Sequence, residues 1–286
     1  MNIVICVAFK DCFFLKKNLF FIRKNIHPEH IWIITNKNNF KFFSDEKSDL
    51  SCIDEDELIE GLTFDVVSKC LRQHMKVRCS YGWYYQQFLK LGFALSKYAE
   101  KEYLVWDADT IPLNPLVFKA DENSDFFLPK TEHHQPYFDT MDRLLEVPEK
   151  ASYSFIAEHM VFNVAIVREM LQKIEENAGN HLKWYELCIL AISPVSPNGF
   201  SEFETYGTYC LNYYKAQLRP RFLRTFRNGG KIFGVFASQE EIESLSSELD
   251  TVSFELRDLP VSFYRRCKQW IFFKFCNGLK RIFFLG

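Results

Sequence analysis

The stretch Y-L-V-W-D-A-D-T-I-P-L, Tyr103 to Leu113, decides the reading of the fold. Four apolar or aromatic residues are followed by two carboxylates, Asp107 and Asp109, at spacing i, i+2, and then by a proline. A short, wholly apolar run reads as a strand buried on both faces, as in a parallel sheet. The acids then leave that sheet at its carboxyl edge, where open α/β sheets place ligands. Two carboxylates there can hold a hard divalent cation, Mn2+ or Mg2+, which can bridge the oxygens of a diphosphate. The same residues also suit a strand end followed by an ordinary Asx-turn, so the pair alone leaves both readings open.

Working outward, Ile3 to Ala8 reads as a buried strand, Asp11 to Asn25 as a helix and Ile31 to Thr35 as a second strand. This β-α-β start predicts a Rossmann-like α/β fold. No G-x-G-x-x-G follows the first strand, which argues against a dinucleotide dehydrogenase. Asp54 to Glu60 reads as an acidic surface turn, and Asp125 to Pro129 and Tyr153 to Phe162 as further strands. After the last comes a helix with core face Ile166, Val167, Met170, Leu171 and Ile174 and its stop at Gly179.

Between Tyr81 and Tyr98 the apolar residues Tyr84, Phe88, Leu91, Leu95 and Tyr98 recur at helical spacing. Gln86 and Lys90 share one stripe of that helix with Gln87 beside them, so amides and an ammonium project together. Such a stripe faces either solvent or a phosphate or sugar, since lysine is a common point-charge partner for phosphate.

With 286 residues, 48% of them apolar, the chain can bury a full core as one large domain or as a domain with a modest appendage. A net charge of −2 argues against a general nucleic-acid binder. The nine cysteines are scattered and never in C-x-x-C spacing, a pattern that suits reduced thiols in a cytosol. The start M-N-I-V-I-C-V-A-F reads as a first strand and not as a signal segment. No run of 18 apolar residues occurs, so no spanning helix is expected.

Two further groups carry chemistry. His133, His134 and His159, with Asp139 and Glu158, could be read as a metal cluster, although their spacing matches no H-E-x-x-H pattern; His159 alone could equally be a core histidine. In F-S-E-F-E-T-Y-G, Phe200 to Gly207, Ser201 and Glu204 fit an S-x-x-E capping box. Glu202 has no such structural explanation, and an acid at a helix start could accept a proton from an attacking hydroxyl.

The ordered set G-W-Y-Y-Q-Q-F-L-K-L, V-W-D-A-D-T-I-P-L, E-H-M-V-F-N and S-E-F-E-T-Y-G resembles a family of bacterial GT-A-fold glycosyltransferases of lipopolysaccharide and capsule biosynthesis, the DUF6492 group. The resemblance extends from about Ile3 to Tyr214. It implies a GT-A fold with a mixed central sheet, a nucleotide-sugar donor, usually a uridine diphosphate sugar, and a divalent metal on Asp107 and Asp109. Gln86, Gln87 and Lys90 would approach the donor, as would Ala8, Phe9 and Thr35 at the exits of the first two strands. His159 and Glu202, with Glu204, would line the sugar and acceptor side. No downstream histidine ligand is placed as in the retaining glycosyltransferase family 8, so the stereochemistry stays open. Alternatives are a nucleotidyltransferase or phosphohydrolase using the same acids, or a non-catalytic nucleotide-sugar or lipid-binding protein.

The last segment, Phe263 to Gly286, contains Arg265, Arg266, Lys268, Lys274, Lys280 and Arg281, eight aromatics and no acid. Basic residues interleaved with aromatics suit an amphipathic helix in an anionic membrane interface, and a terminal helix packed on the core is the alternative. The expected organisation is a transferase domain over 1–262 and a membrane-associating tail over 263–286. Its expected station is the cytoplasmic face of the bacterial inner membrane, beside a glycan or lipid-linked glycan acceptor.

Overall fold

A computed structural model describes residues 1–179, 181–234, 237–255 and 258–271. In chain order the strands are β1 (Asn2–Cys6), β2 (Ile31–Thr35), β3 (Leu50–Asp54), β4 (Glu102–Trp106), β5 (Thr110–Pro112), β6 (Lys119–Asp121), β7 (Ser124–Phe127), β8 (His159–Asn163), β9 (Leu218–Pro220), β10 (Thr225–Phe226) and β11 (Thr251–Ser253). The principal helices are α1 (Phe9–Ile26), α2 (Phe64–His74), α3 (Tyr81–Gly92), α4 (Gln135–Leu144), α5 (Val164–Ala178), α6 (Trp184–Ala191) and α7 (Glu202–Tyr213).

The chain divides into two compact units. The first comprises Met1–Ala8, Pro28–Asp107 and Val117–Phe222. Its five-stranded sheet runs in the order β3-β2-β1-β4-β8. The first four strands are mutually parallel, and β8 pairs antiparallel to β4, with Trp106 opposite His159. This mixed α/β sheet is the architecture expected from the β-α-β start and from the resemblance. Tyr103 to Trp106 are buried because β4 has a paired strand on either side and lies inside the layered core, so its sequence is a continuous apolar run. That core draws Tyr84, Phe88 and Leu91 from α3, Val167, Met170 and Ile174 from α5 and Phe203, Tyr206 and Tyr209 from α7. A small sheet of order β6-β7-β9 completes the unit.

The second unit comprises Phe9–His27, Ala108–Leu116 and Leu223–Gly286. A three-stranded sheet of order β10-β11-β5 shares its core with α1, in which Phe14, Phe21, Ile111, Val252 and Phe254 are buried together. Residues 263–271 are helical, and the remainder of the expected tail, 272–286, lies outside the described residues.

Three sequence expectations change in extent. The helix starting at Tyr81 ends at Gly92 and continues only as a 3-10 turn, Phe93–Leu95, which leaves Leu95 exposed. The strand expected over Tyr153 to Phe162 forms only from His159: before it Ser154 makes a single antiparallel bridge with Lys130, and the next N–H, of Phe155, donates to the Glu204 carboxylate. The acidic turn near Asp54 is a 3-10 turn, Glu55–Glu57. By contrast, α5 stops where expected, with Gly179 in the left-handed region at φ 59°. Its start is fixed by Asn163, whose side chain accepts from the backbone of Ala165 and Ile166.

Candidate functional site

The site is built around one buried ammonium. Lys90, two residues before the end of α3, is only 4% exposed. Its Nζ donates to Asp107 Oδ1 at 2.7 Å and to Glu202 Oε1 at 2.6 Å, and it stands 4.6 Å from the centre of the Phe203 ring. An ammonium in an apolar interior would be costly without such partners. Burial pulls its pKa down, and two neighbouring carboxylates more than offset that, so the lysine stays charged. Glu202 has one cation and a like-charged neighbour, Asp107, and burial pushes its pKa up.

Each member is fixed by its own element. Asp107 follows the last residue of β4, and its N–H donates to the carbonyl of Glu158 at 3.0 Å, immediately before β8. The hydroxyl of Tyr103, from β4, donates to the carbonyl of Lys90 at 2.8 Å and so ties α3 to the strand. Glu202 opens α7, with Ser201 as its cap. Its N–H donates to Gln87 Oε1 at 3.2 Å, while Gln87 Nε2 donates back to the carbonyl of Trp83. Gln87 is 2% exposed, so its amide holds the start of α7 against α3. Gln86, on the neighbouring stripe, is half-buried.

Glu204 departs from the capping box. Ser201 Oγ does accept from the Glu204 N–H at 3.2 Å, but the carboxylate turns the other way. It accepts from Ser154 Oγ at 2.5 Å and from the Phe155 N–H at 3.1 Å, and burial pushes its pKa up. Thus Glu204 anchors the loop before β8, and Glu202, which sequence reasoning left without a structural partner, has one in Lys90. Gly207 explains its place in the same motif. A Cβ there would stand 2.2 Å from the Phe155 ring.

His159 is 3% exposed and stacks on Trp106, with ring centres 5.0 Å apart and planes at 22°, while Phe118 meets it edge-on. Burial, with Arg221 and Lys130 adding to the effect, depresses its pKa to about 3, so the ring is neutral. Thr35 is fully buried and joins the ends of β1 and β2: its Oγ1 donates to the Val7 carbonyl at 2.6 Å and accepts from Asn39 Nδ2. Ala8 is exposed at the end of the first unit's opening segment. Phe9 begins α1 in the second unit.

The unit boundary falls within the D-x-D motif, after Asp107. Asp109, on the second unit, is half-buried; its carbonyl accepts from the Phe254 N–H at 2.8 Å and its Oδ1 from Thr110 Oγ1 at 3.5 Å. Among the described residues no group of three or more His, Cys, Asp or Glu side chains is arranged to hold a metal ion. The histidine cluster considered from the sequence does not assemble: His134 bonds the Asn198 carbonyl, and His133 stacks on Phe138.

Residues 11–232 match the model of the family described as "Family of unknown function (DUF6492)". The chain belongs to the DUF6492 family. No curated protein sequence matches it. Among solved structures this DUF6492 chain is similar to galactosyltransferase LgtC in complex with donor and acceptor sugar analogues, with a TM-score of 0.45 at 10% identity over 94% of this chain and 95% of that one. It is similar also to the bifunctional glycosyltransferase WbbM, with a TM-score of 0.45 at 13% identity over 90% of this chain and 46% of that one. A third likeness is to mouse xyloside xylosyltransferase 1, with a TM-score of 0.45 at 9% identity over 88% and 97% of the two chains.

A metal carried on Asp107 and Asp109 can be tested against the chemistry of these donors. Both are hard carboxylate ligands at half-buried positions, and Asp107 retains a second oxygen beside the one held by Lys90. Two carboxylates fit the way Mg2+ is usually bound, through one or two acids together with substrate phosphates and water. They do not make a closed protein cage.

Proposed function

We propose that this DUF6492 chain is a metal-dependent glycosyltransferase that moves a hexose from a uridine diphosphate sugar to a growing bacterial surface glycan such as lipopolysaccharide, O-antigen or capsule. One observation carries the reading. The four motifs of the family resemblance lie far apart in the chain, yet Lys90, Asp107, Glu158 and Glu202, one from each, are joined by hydrogen bonds of 3.0 Å or less. A fold that used these motifs only for packing has no need to bring two acids and a lysine to the carboxyl end of β4.

In this reading Asp107 and Asp109 would hold the cation, which when bound would supply positive charge to the departing nucleoside diphosphate. Lys90 supplies a fixed positive charge beside Asp107, suited to the same developing charge. Gln87 and Tyr103 keep that lysine and the start of α7 in place. Glu202 accepts the proton of the acceptor hydroxyl, and its burial shifts its basicity in the direction a general base requires. His159, neutral and stacked on Trp106, is buried directly after Glu158 in the chain.

A thermal-shift series of nucleotide sugars, with and without manganese, tests the donor assignment, because ligand binding stabilises the folded state by mass action. Stabilisation by uridine diphosphate sugars that requires manganese is the expected result. Stabilisation by none of them, with or without metal, would defeat the proposal.

A further inference from the structure

The helix 263–271 has its polarity turned inside out. Its two inward side chains are polar: Arg265 Nη1 donates to the Phe233 carbonyl at 2.8 Å and pairs with Glu241, and Gln269, 1% exposed, donates to the Asp258 carbonyl at 2.8 Å. Arg265 and Gln269 are four residues apart and so lie on one face. The opposite face is apolar and open to solvent, with Phe263 80%, Tyr264 66%, Trp270 58% and Ile271 61% exposed. Leu259 and Val261, just before the helix, are likewise exposed. A surface helix of a globular protein ordinarily presents the reverse arrangement.

At about 100° per residue, Lys268 and Arg266 fall on the two flanks of this apolar arc, and both are exposed. Lys268 Nζ stands 4.6 Å from the centre of the Tyr264 ring, its stem lying along the aromatic surface. An apolar arc bordered on both sides by cations is the shape of a helix lying in a lipid interface, rings among the acyl chains and ammonium groups at the phosphates. From Leu259 to Gly286 the sequence has six basic residues and no acid. A second copy seated on this face would bring like charges together, whereas an anionic lipid surface complements them.

We propose that the exposed face of helix 263–271 is a docking surface for an anionic membrane, held in the orientation that Arg265 and Gln269 impose. This goes beyond the enzymatic reading and does not depend on it. Because only one face is exposed, the described part of the tail is both packed on its unit and available to lipid. No helix among the described residues is long and apolar enough to cross a membrane, so the attachment is interfacial.

The test uses the full chain and vesicles of phosphatidylcholine alone or mixed with phosphatidylglycerol. Wild-type protein should sediment with the mixed vesicles and not with the neutral ones. Replacing Arg266→Gln and Lys268→Gln together should weaken partition about 30-fold, on the basis of about 1 kcal/mol per basic residue. Replacing Phe263→Ser and Trp270→Ser should weaken it further with an unchanged circular dichroism spectrum. Quenching of tryptophan fluorescence by brominated lipid should disappear in Trp270→Phe. Equal sedimentation with neutral vesicles, no sedimentation with either, or a concentration-dependent dimer that Phe263→Ser abolishes would each overturn the proposal.

Discussion

Lys90 and Glu202 lie 112 positions apart in the chain, yet their charged atoms are 2.6 Å apart in a setting where both side chains are 5% exposed. Removing one member of such a pair leaves the other as an uncompensated buried charge, which typically costs about 3–5 kcal/mol. Lys90→Met should approach that cost in urea unfolding. Glu202→Gln should cost less, because Lys90 keeps Asp107 at 2.7 Å. The combined Lys90→Met, Glu202→Gln variant should recover much of the loss. A Lys90→Met protein as stable as wild type would show that the ion pair does not organise this region.

The two glutamates of α7 should separate in kinetics. Glu202→Gln keeps size and hydrogen bonding but accepts no proton, so turnover should fall by a factor on the order of 100 or more with donor affinity near normal. Glu204→Gln should be mild, since its carboxylate serves Ser154 and Phe155. Glu204→Leu should instead destabilise by about 1–3 kcal/mol, leaving the Phe155 N–H unsatisfied. If Glu204→Gln abolishes turnover and Glu202→Gln does not, the roles are reversed.

Gly207→Ala should lower stability although the position is helical, where alanine is ordinarily preferred. The added methyl would meet the Phe155 ring, and overpacking of this kind costs about 1–3 kcal/mol. Adding Phe155→Leu should restore part of the loss in thermal melting. A Gly207→Ala variant that melts at or above the wild-type temperature would contradict this account of the motif.

His159 predicts an acid sensitivity. Its pKa of about 3 in the folded chain lies below the ordinary value of about 6.5. Between those values the unfolded chain binds a proton that the folded chain does not. The contribution of His159 to stability is therefore full above about pH 6.5 and is lost progressively as pH falls toward 3. Burial raises the pKa of Glu202 and Glu204, which work in the opposite sense, so the comparison must isolate the histidine. Melting temperature should fall more steeply from about pH 7 to about pH 5 in wild type than in His159→Phe, which keeps a stacked ring. Parallel profiles would refute the buried neutral histidine.

Local patterns were legible in the sequence where one element determines its own residues. The unbroken apolar run Tyr103 to Trp106 marked β4, and the periodic face of α5 with its left-handed Gly179 marked both the helix and its end. Long-range partners were not legible. Glu202 looked unexplained because Lys90 lies on another helix, and Glu204 looked like a cap because S-x-x-E is a local pattern while Ser154 and Phe155 are distant. The loop before β8 read as strand because its apolar residues run on into His159 to Phe162, but only Ser154 makes a bridge, to Lys130, and the Phe155 N–H is satisfied by a side chain. Spacing also could not reveal that Asp107 and Asp109 belong to different compact units.

The proposed reaction is sugar transfer from a nucleotide-sugar donor at the Lys90, Asp107 and Glu202 site. It is tested most directly by identifying the products formed from uridine diphosphate hexoses with manganese and a glycan acceptor, by mass spectrometry. The account predicts uridine diphosphate together with transferred or hydrolysed sugar, and loss of both products in Asp107→Asn and Asp109→Asn proteins that remain folded. Release of uridine monophosphate and sugar phosphate, or wild-type product yields in both variants, would contradict it.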